Sequence, residues 1–137
     1  MDQGISLLTA LRSRMGWLSD RQKVVSQNVA NSDTPGFKPK DLAPQDFEAL
    51  VNGQSAAPVI PTIRLMDGTP LTLPGDTAHG SKQVTSADSE TTMDGNSVVL
   101  EEEMLKMSES RQNFEAAVGF YEKAQDMVRM AAKAPGK

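Results

Sequence analysis

The 137-residue chain contains no cysteine, which excludes disulfide staples and thiolate metal sites. Histidine is almost as scarce. His79 is the single imidazole, so a metal cage of several histidines is excluded, and any histidine chemistry would rest on one base. Aromatic residues make up 4% and hydrophobic residues 38%, too little for a large self-sufficient core. No apolar run approaches the roughly 18 residues of a membrane span. Asp2 and Gln3 stand where a secretory leader would carry basic and then apolar residues, so no cleaved signal is expected. Fourteen basic against eighteen acidic side chains give a net charge of -4, with no basic stripe to follow a nucleic-acid backbone. These absences point away from an enzyme, a cofactor, a metal centre, a nucleic-acid partner and direct membrane insertion.

What the chain does have is concentrated at its two ends. Residues 1–31 carry a net charge of +2, residues 32–97 a net of -5 and residues 98–137 a net of -1. Six of the eight prolines fall between Pro35 and Pro70. Three segments follow: an N-terminal helix in 1–31, a turn motif with an irregular, partly mobile middle in 32–97, and a C-terminal helix in 98–137. In the first, Leu8, Leu11, Met15, Leu18, Gln22, Val25 and Val29 alternate at steps of three and four, the heptad signature of a helix that pairs along one stripe. In the last, the same steps run through Leu100, Met104, Met107, Arg111, Phe114, Val118, Tyr121, Gln125 and Val128. Gln22, Arg111 and Gln125 are polar positions suited to setting register. Glu101, Glu102 and Glu103 face the positive end of the second helix's dipole, and Pro135 with Gly136 stops it.

The expected fold is therefore mainly α, its terminal heptad helices pairing as a coiled-coil-like domain around a Pro/Gly-rich middle. That middle has room for a short β-hairpin, Val59 to Met66 and Thr69 to Leu73 about Asp67-Gly68, and His79 reads as an exposed loop residue. Apolar residues off the stripes, namely Leu7, Trp17, Val24, Leu105, Phe120, Met127 and Met130, are expected to meet further helices. Two helices alone make a marginal fold, which suits a subunit completed by its neighbours. An ordinary antiparallel helical core with an insertion fits the same periodicity. Whether the stripes meet within one subunit or between subunits stays open.

Directly after the first helix comes Ala30-Asn31-Ser32-Asp33-Thr34-Pro35-Gly36-Phe37-Lys38. Pro35 and Gly36 suit the two central positions of a type II turn, so the chain should reverse over Thr34 to Phe37, and Asn31 can end the helix in a left-handed conformation. The run from Asn28 to Phe37 resembles the N-terminal signature of the rod and hook family, the axial proteins of the bacterial flagellum. Asp94-Gly95-Asn96-Ser97-Val98 before the acidic helix start, and Lys40-Asp41-Leu42 after the turn, extend the resemblance to about residues 5–50 and 94–132. Phe37 stands where tyrosine is frequent in that family. Val99 stands where an acidic residue is frequent, at N3 if Asn96 is the N-cap.

The resemblance implies a structural subunit of the flagellar basal body's periplasmic rod, polymerising through its terminal helices into a torque-transmitting shaft and export channel. It implies Ala30, Asn31, Thr34, Pro35, Gly36, Phe37, Asp94, Gly95 and Asn96 as motif residues, and no cofactor. Implied partners are other rod proteins, copies of itself, the flagellar type III export apparatus and the basal-body base. Export would occur unfolded, without signal cleavage. The competing class is a helical secretion chaperone or adaptor. A membrane-surface helix is opposed by Glu109, Glu115 and Glu122.

Overall fold

The heptad stretches at both ends form the two long helices of the computed structural model, which describes residues 2–52 and 81–133. Helix α1 runs over Asp2–Ala30 and the last helix, α3, over Leu100–Ala132. Between them lie β1 (Lys40–Leu42), the short helix α2 (Phe47–Val51) and β2 (Gln83–Thr85). Gly4 approaches Val128, Arg12 bonds Tyr121 and Asn28 bonds Glu103, so α1 and α3 are antiparallel partners along nearly their whole lengths.

On α1 the interface is made by large side chains: Leu11, Leu18 and Val25 are buried, with Leu8, Met15 and Val29 half-buried beside them. On α3 the buried positions are Glu103, Ser110, Ala117 and Ala124, spaced by seven, with Met107, Phe114, Val118 and Tyr121 half-buried. Leu100, Met104 and Val128 are exposed. At about 100° per residue, the face that α3 turns to α1 is rotated by about 50° from the stripe of large apolar residues. The cause is steric. Bulky α1 side chains already fill the space, so α3 offers small residues, and close packing tolerates no duplication of volume.

The remaining core is supplied by the segment after the turn. Leu42 joins Trp17, Leu18, Val24 and Ala117 in one buried cluster, with Met15 and Phe114 packed against it. The Trp17 indole donates to the Ala43 carbonyl at 3.0 Å. Trp17 and Val24, expected to face further helices, are thus covered by the chain's own arm, whereas Leu7, Leu105, Phe120, Met127 and Met130 remain exposed. β1 and β2 pair antiparallel, Lys40 opposite Thr85 and Leu42 opposite Gln83, forming a two-stranded sheet. The hairpin expected over 59–73 and His79 lie outside the described residues. α2 is capped by Asp46, whose carboxylate accepts from the Ala49 amide at 3.0 Å.

Two local expectations are corrected. Asn31 does not turn left-handed: no described non-glycine residue has positive φ. Its side-chain amide instead donates to the Gln27 carbonyl at 2.7 Å, satisfying one of the last helical acceptors directly. Asn96 is not the cap of α3. The N-cap is Val99, in extended backbone (φ -105°, ψ 112°) and without a side-chain cap bond. Asp88, from the loop beyond β2, accepts from the Val99 amide at 2.9 Å in place of a local cap.

Candidate assembly junction

At one end of the helix pair the chain leaves α1, reverses, and meets the segment that leads back into α3. Thr34 to Phe37 is the expected turn: the Phe37 amide donates to the Thr34 carbonyl at 3.2 Å, and Gly36 has φ +71°. The second segment locks onto this turn through backbone as well as side chains. The Gly36 amide donates to the Asp94 carbonyl at 3.0 Å, and the Ser97 amide to the Phe37 carbonyl at 3.1 Å. Gly95, at φ +83°, lets the two backbones approach so closely that a Cβ there would lie 3.4 Å from Gly36 Cα. Asn96, buried, spans the gap: its Nδ2 donates to the carbonyls of Asn31 (3.0 Å) and Thr34 (2.8 Å), and its Oδ1 accepts from the Val98 amide at 2.9 Å. One side chain so closes both segments.

The motif residues Asn31, Thr34, Gly36, Phe37, Asp94, Gly95 and Asn96, distant in sequence, are therefore in direct backbone or side-chain contact. Ala30 ends α1 on the surface, and Pro35 is exposed at the turn. The Asp94 carboxyl is held below the usual carboxylate range, first by the Thr92 hydroxyl and then by the Asn96 amide.

Behind the turn lies a buried polar network that joins four segments. Asn28, on α1, donates from Nδ2 to the Lys40 carbonyl (2.7 Å) and to Glu103 Oε2 (2.9 Å), while its Oδ1 accepts from the Lys40 amide at 3.0 Å. Lys106, one turn along α3, donates to Glu103 Oε1 at 2.8 Å and to Asp88 Oδ1 at 2.7 Å. Glu103 is 0% exposed and the Asp88 side chain 1%, so both carboxylates depend on this one ammonium and on the amide donors for their charge. Burial by itself would lower the Lys106 pKa, but the bonds to Asp88 and Glu103 outweigh it, and the group stands above its ordinary value. Nearby, Arg21 grips Asp41 with two bonds of 3.0 and 3.2 Å, tying α1 to β1.

Sequence reasoning passed over most of this network. Glu103 reads as part of a favourable helix start, and its burial has no hydropathy signal. Asn28 sits inside the family run but looks like an ordinary polar helix residue, and Asp88 lies in a Ser/Thr-rich loop. The Glu103–Lys106 spacing of three was the one legible hint. Among the described residues no cluster of His, Asp or Glu is suited to hold a metal, and no helix is long and apolar enough to cross a membrane. The chemistry of the junction is cohesion between segments.

A family model described as "Flagella basal body rod protein" matches residues 8–38, the part of α1 and the turn that builds one side of this junction. That stretch is similar to the class of flagellar basal body rod proteins. The flagellar basal body rod protein FlgB of Agrobacterium fabrum is 31% identical over 135 residues, covering 96% of each chain. FlgB of Bacillus subtilis is 29% identical over 100 residues, covering 72% of this chain and 70% of its own. The chain belongs to the FlgB family of flagellar basal body rod proteins.

Proposed function

We propose that this chain is a structural subunit of the proximal rod that polymerises through α1 and α3 into the shaft that transmits torque and encloses the export channel. The observation that carries the reading is the division of its surface. The interior of the junction is closed by buried polar groups, while Leu105, Phe120, Met127 and Met130 stand exposed along the outer face of α3. A monomer gains nothing from large apolar side chains in water, and a subunit surrounded by neighbours buries them. Heterologous contacts that do not close into a ring generate helical filaments, the geometry a shaft requires.

In this reading the junction fixes the axial register of α3 against α1, so that load passes along paired helices rather than slipping between them. Partners are copies of the chain, other rod proteins and the base of the basal body, and delivery is by the flagellar type III apparatus, unfolded and without signal cleavage. The outer apolar positions of the two stripes, Leu100, Met104 and Val128 among them, contact neighbours, while the inner ones hold the subunit together. Electron microscopy of isolated basal bodies tests this directly. A tag on this chain should mark the base of the rod, and deletion should leave basal bodies without a rod; complete rods in the deletion strain would refute it.

A further inference from the structure

The surface between α1, α2 and the C-terminal half of α3 holds a groove of about 630 Å3. Its floor is apolar, with Leu7, Phe47, Phe120 and Met127, and Arg14 and Lys123 stand on its wall. Phe120 is 64% exposed, and Lys123 has no ion-pair partner among the described residues. At the opposite end of α3 stands a ridge of matching chemistry. Met104 and Leu105 are 67% and 70% exposed. Glu101 and Glu109 flank them, placed by helical spacing at three before Met104 and four after Leu105. Glu101 is exposed and unpaired among the described residues, and Glu109 reaches only a 3.9 Å contact with Arg21.

We infer that the groove receives the Met104–Leu105 ridge of a second copy of this chain, with Glu101 and Glu109 meeting Arg14 and Lys123. The inference rests on the rod-subunit reading and specifies the surface that such a subunit uses. Two observations select this occupant. The groove presents two cations around an apolar floor and the ridge two anions around an apolar crest, which steers and orients the encounter. Ridge and groove also lie at different ends of α3, so one copy's ridge is free while its groove is filled. Leu105 and Phe120 lie fifteen residues apart on one helix, about 22 Å at 1.5 Å per residue. Copies with parallel axes are thus displaced by about that step, and the contact propagates without closing.

Because the chain lacks cysteine, introduced thiols report the contact without background. The full chain carrying both Met104→Cys and Met127→Cys, expressed in place of the wild type, is assembled into basal bodies and treated with a short bismaleimide. A ladder of dimers and higher species is expected from the double variant and monomer alone from either single variant. Adding Lys123→Glu should cut the ladder several-fold, and Glu101→Lys in the same chain should restore it. Dimers from a single variant would signal a two-fold contact and overturn the inference, as would a double variant that is present in basal bodies yet uncrosslinked or linked to a different chain. Wild-type chain absent from isolated basal bodies would instead overturn the rod reading, and this contact with it.

Discussion

The two ends of the helix pair are built on opposite principles. At the junction end, Asn28, Asn96, Asp88 and Glu103 are buried and hydrogen-bonded, so polar groups with defined geometry tie the segments together. At the other end, Ile5, Leu7, Met127 and Met130 are large, apolar and exposed, and Gly4 lies against Val128. Directional bonds penalise any shift of register, since a displaced Asn96 or Glu103 would leave buried partners unsatisfied. Apolar contact is tolerant of partner and angle. A subunit that must hold its own shape yet meet neighbours benefits from both kinds of surface, and at the junction end they stand side by side, with Met104 and Leu105 exposed next to buried Glu103.

The contrast can be attacked most severely at Glu103. Glu103→Ala leaves buried Asn28 and Asp88 and half-buried Lys106 with a broken network, and a loss of about 3–5 kcal/mol in denaturant unfolding is expected. Trp17 fluorescence follows it; a loss below about 1 kcal/mol would mean that the network does not hold the helices. Asn96→Ala removes the donor from two inter-segment bonds and should cost about 1–3 kcal/mol, with amide exchange rising first in residues 31–37 and 94–99. Gly36→Ala has open space for its methyl group, so only the positive φ opposes it, and about 1–2 kcal/mol is expected in the same assay.

The pH dependence is a gentler probe. A lysine whose folded pKa lies above its unfolded value contributes stability that is complete below about pH 10.4 and is lost only as pH rises through the folded value. The difference in unfolding midpoint between wild type and Lys106→Met should therefore stay constant from pH 7 to about 10 and shrink beyond. A difference that already falls between pH 7 and 9 would assign the ammonium a different partner set. The smallest effect on the isolated chain belongs to the open end. Phe120→Ser should change monomer stability by no more than about 0.5 kcal/mol while removing the chain from basal bodies, a separation that no junction variant should reproduce.

Much of the fold was legible because periodicity is a local property. The 3-4 spacing from Leu8 to Val29 and from Leu100 to Val128 marked both helices to within a few residues, and Pro35-Gly36 marked the turn. The rotation of α3 was hidden, because Ser110, Ala117 and Ala124 carry almost no hydrophobic signal of their own. Only the volume already filled by Leu11, Leu18 and Val25 makes small residues the better fit there. Trp17 and Val24 were misplaced for a related reason: nothing local in Leu42 announces that it folds back over them.

By itself the sequence determined the helical class, the chain reversal after α1, the missing thiols and the family motif, since each depends on residues close together along the chain. Tertiary structure alone decided which helix faces are used internally, that Asp88 substitutes for a cap on α3, and that Glu103 is a buried junction residue rather than a surface acid. The reason is that burial and hydrogen-bond partnership are properties of pairs such as Asn28 and Glu103, 75 positions apart, which no window along the chain contains.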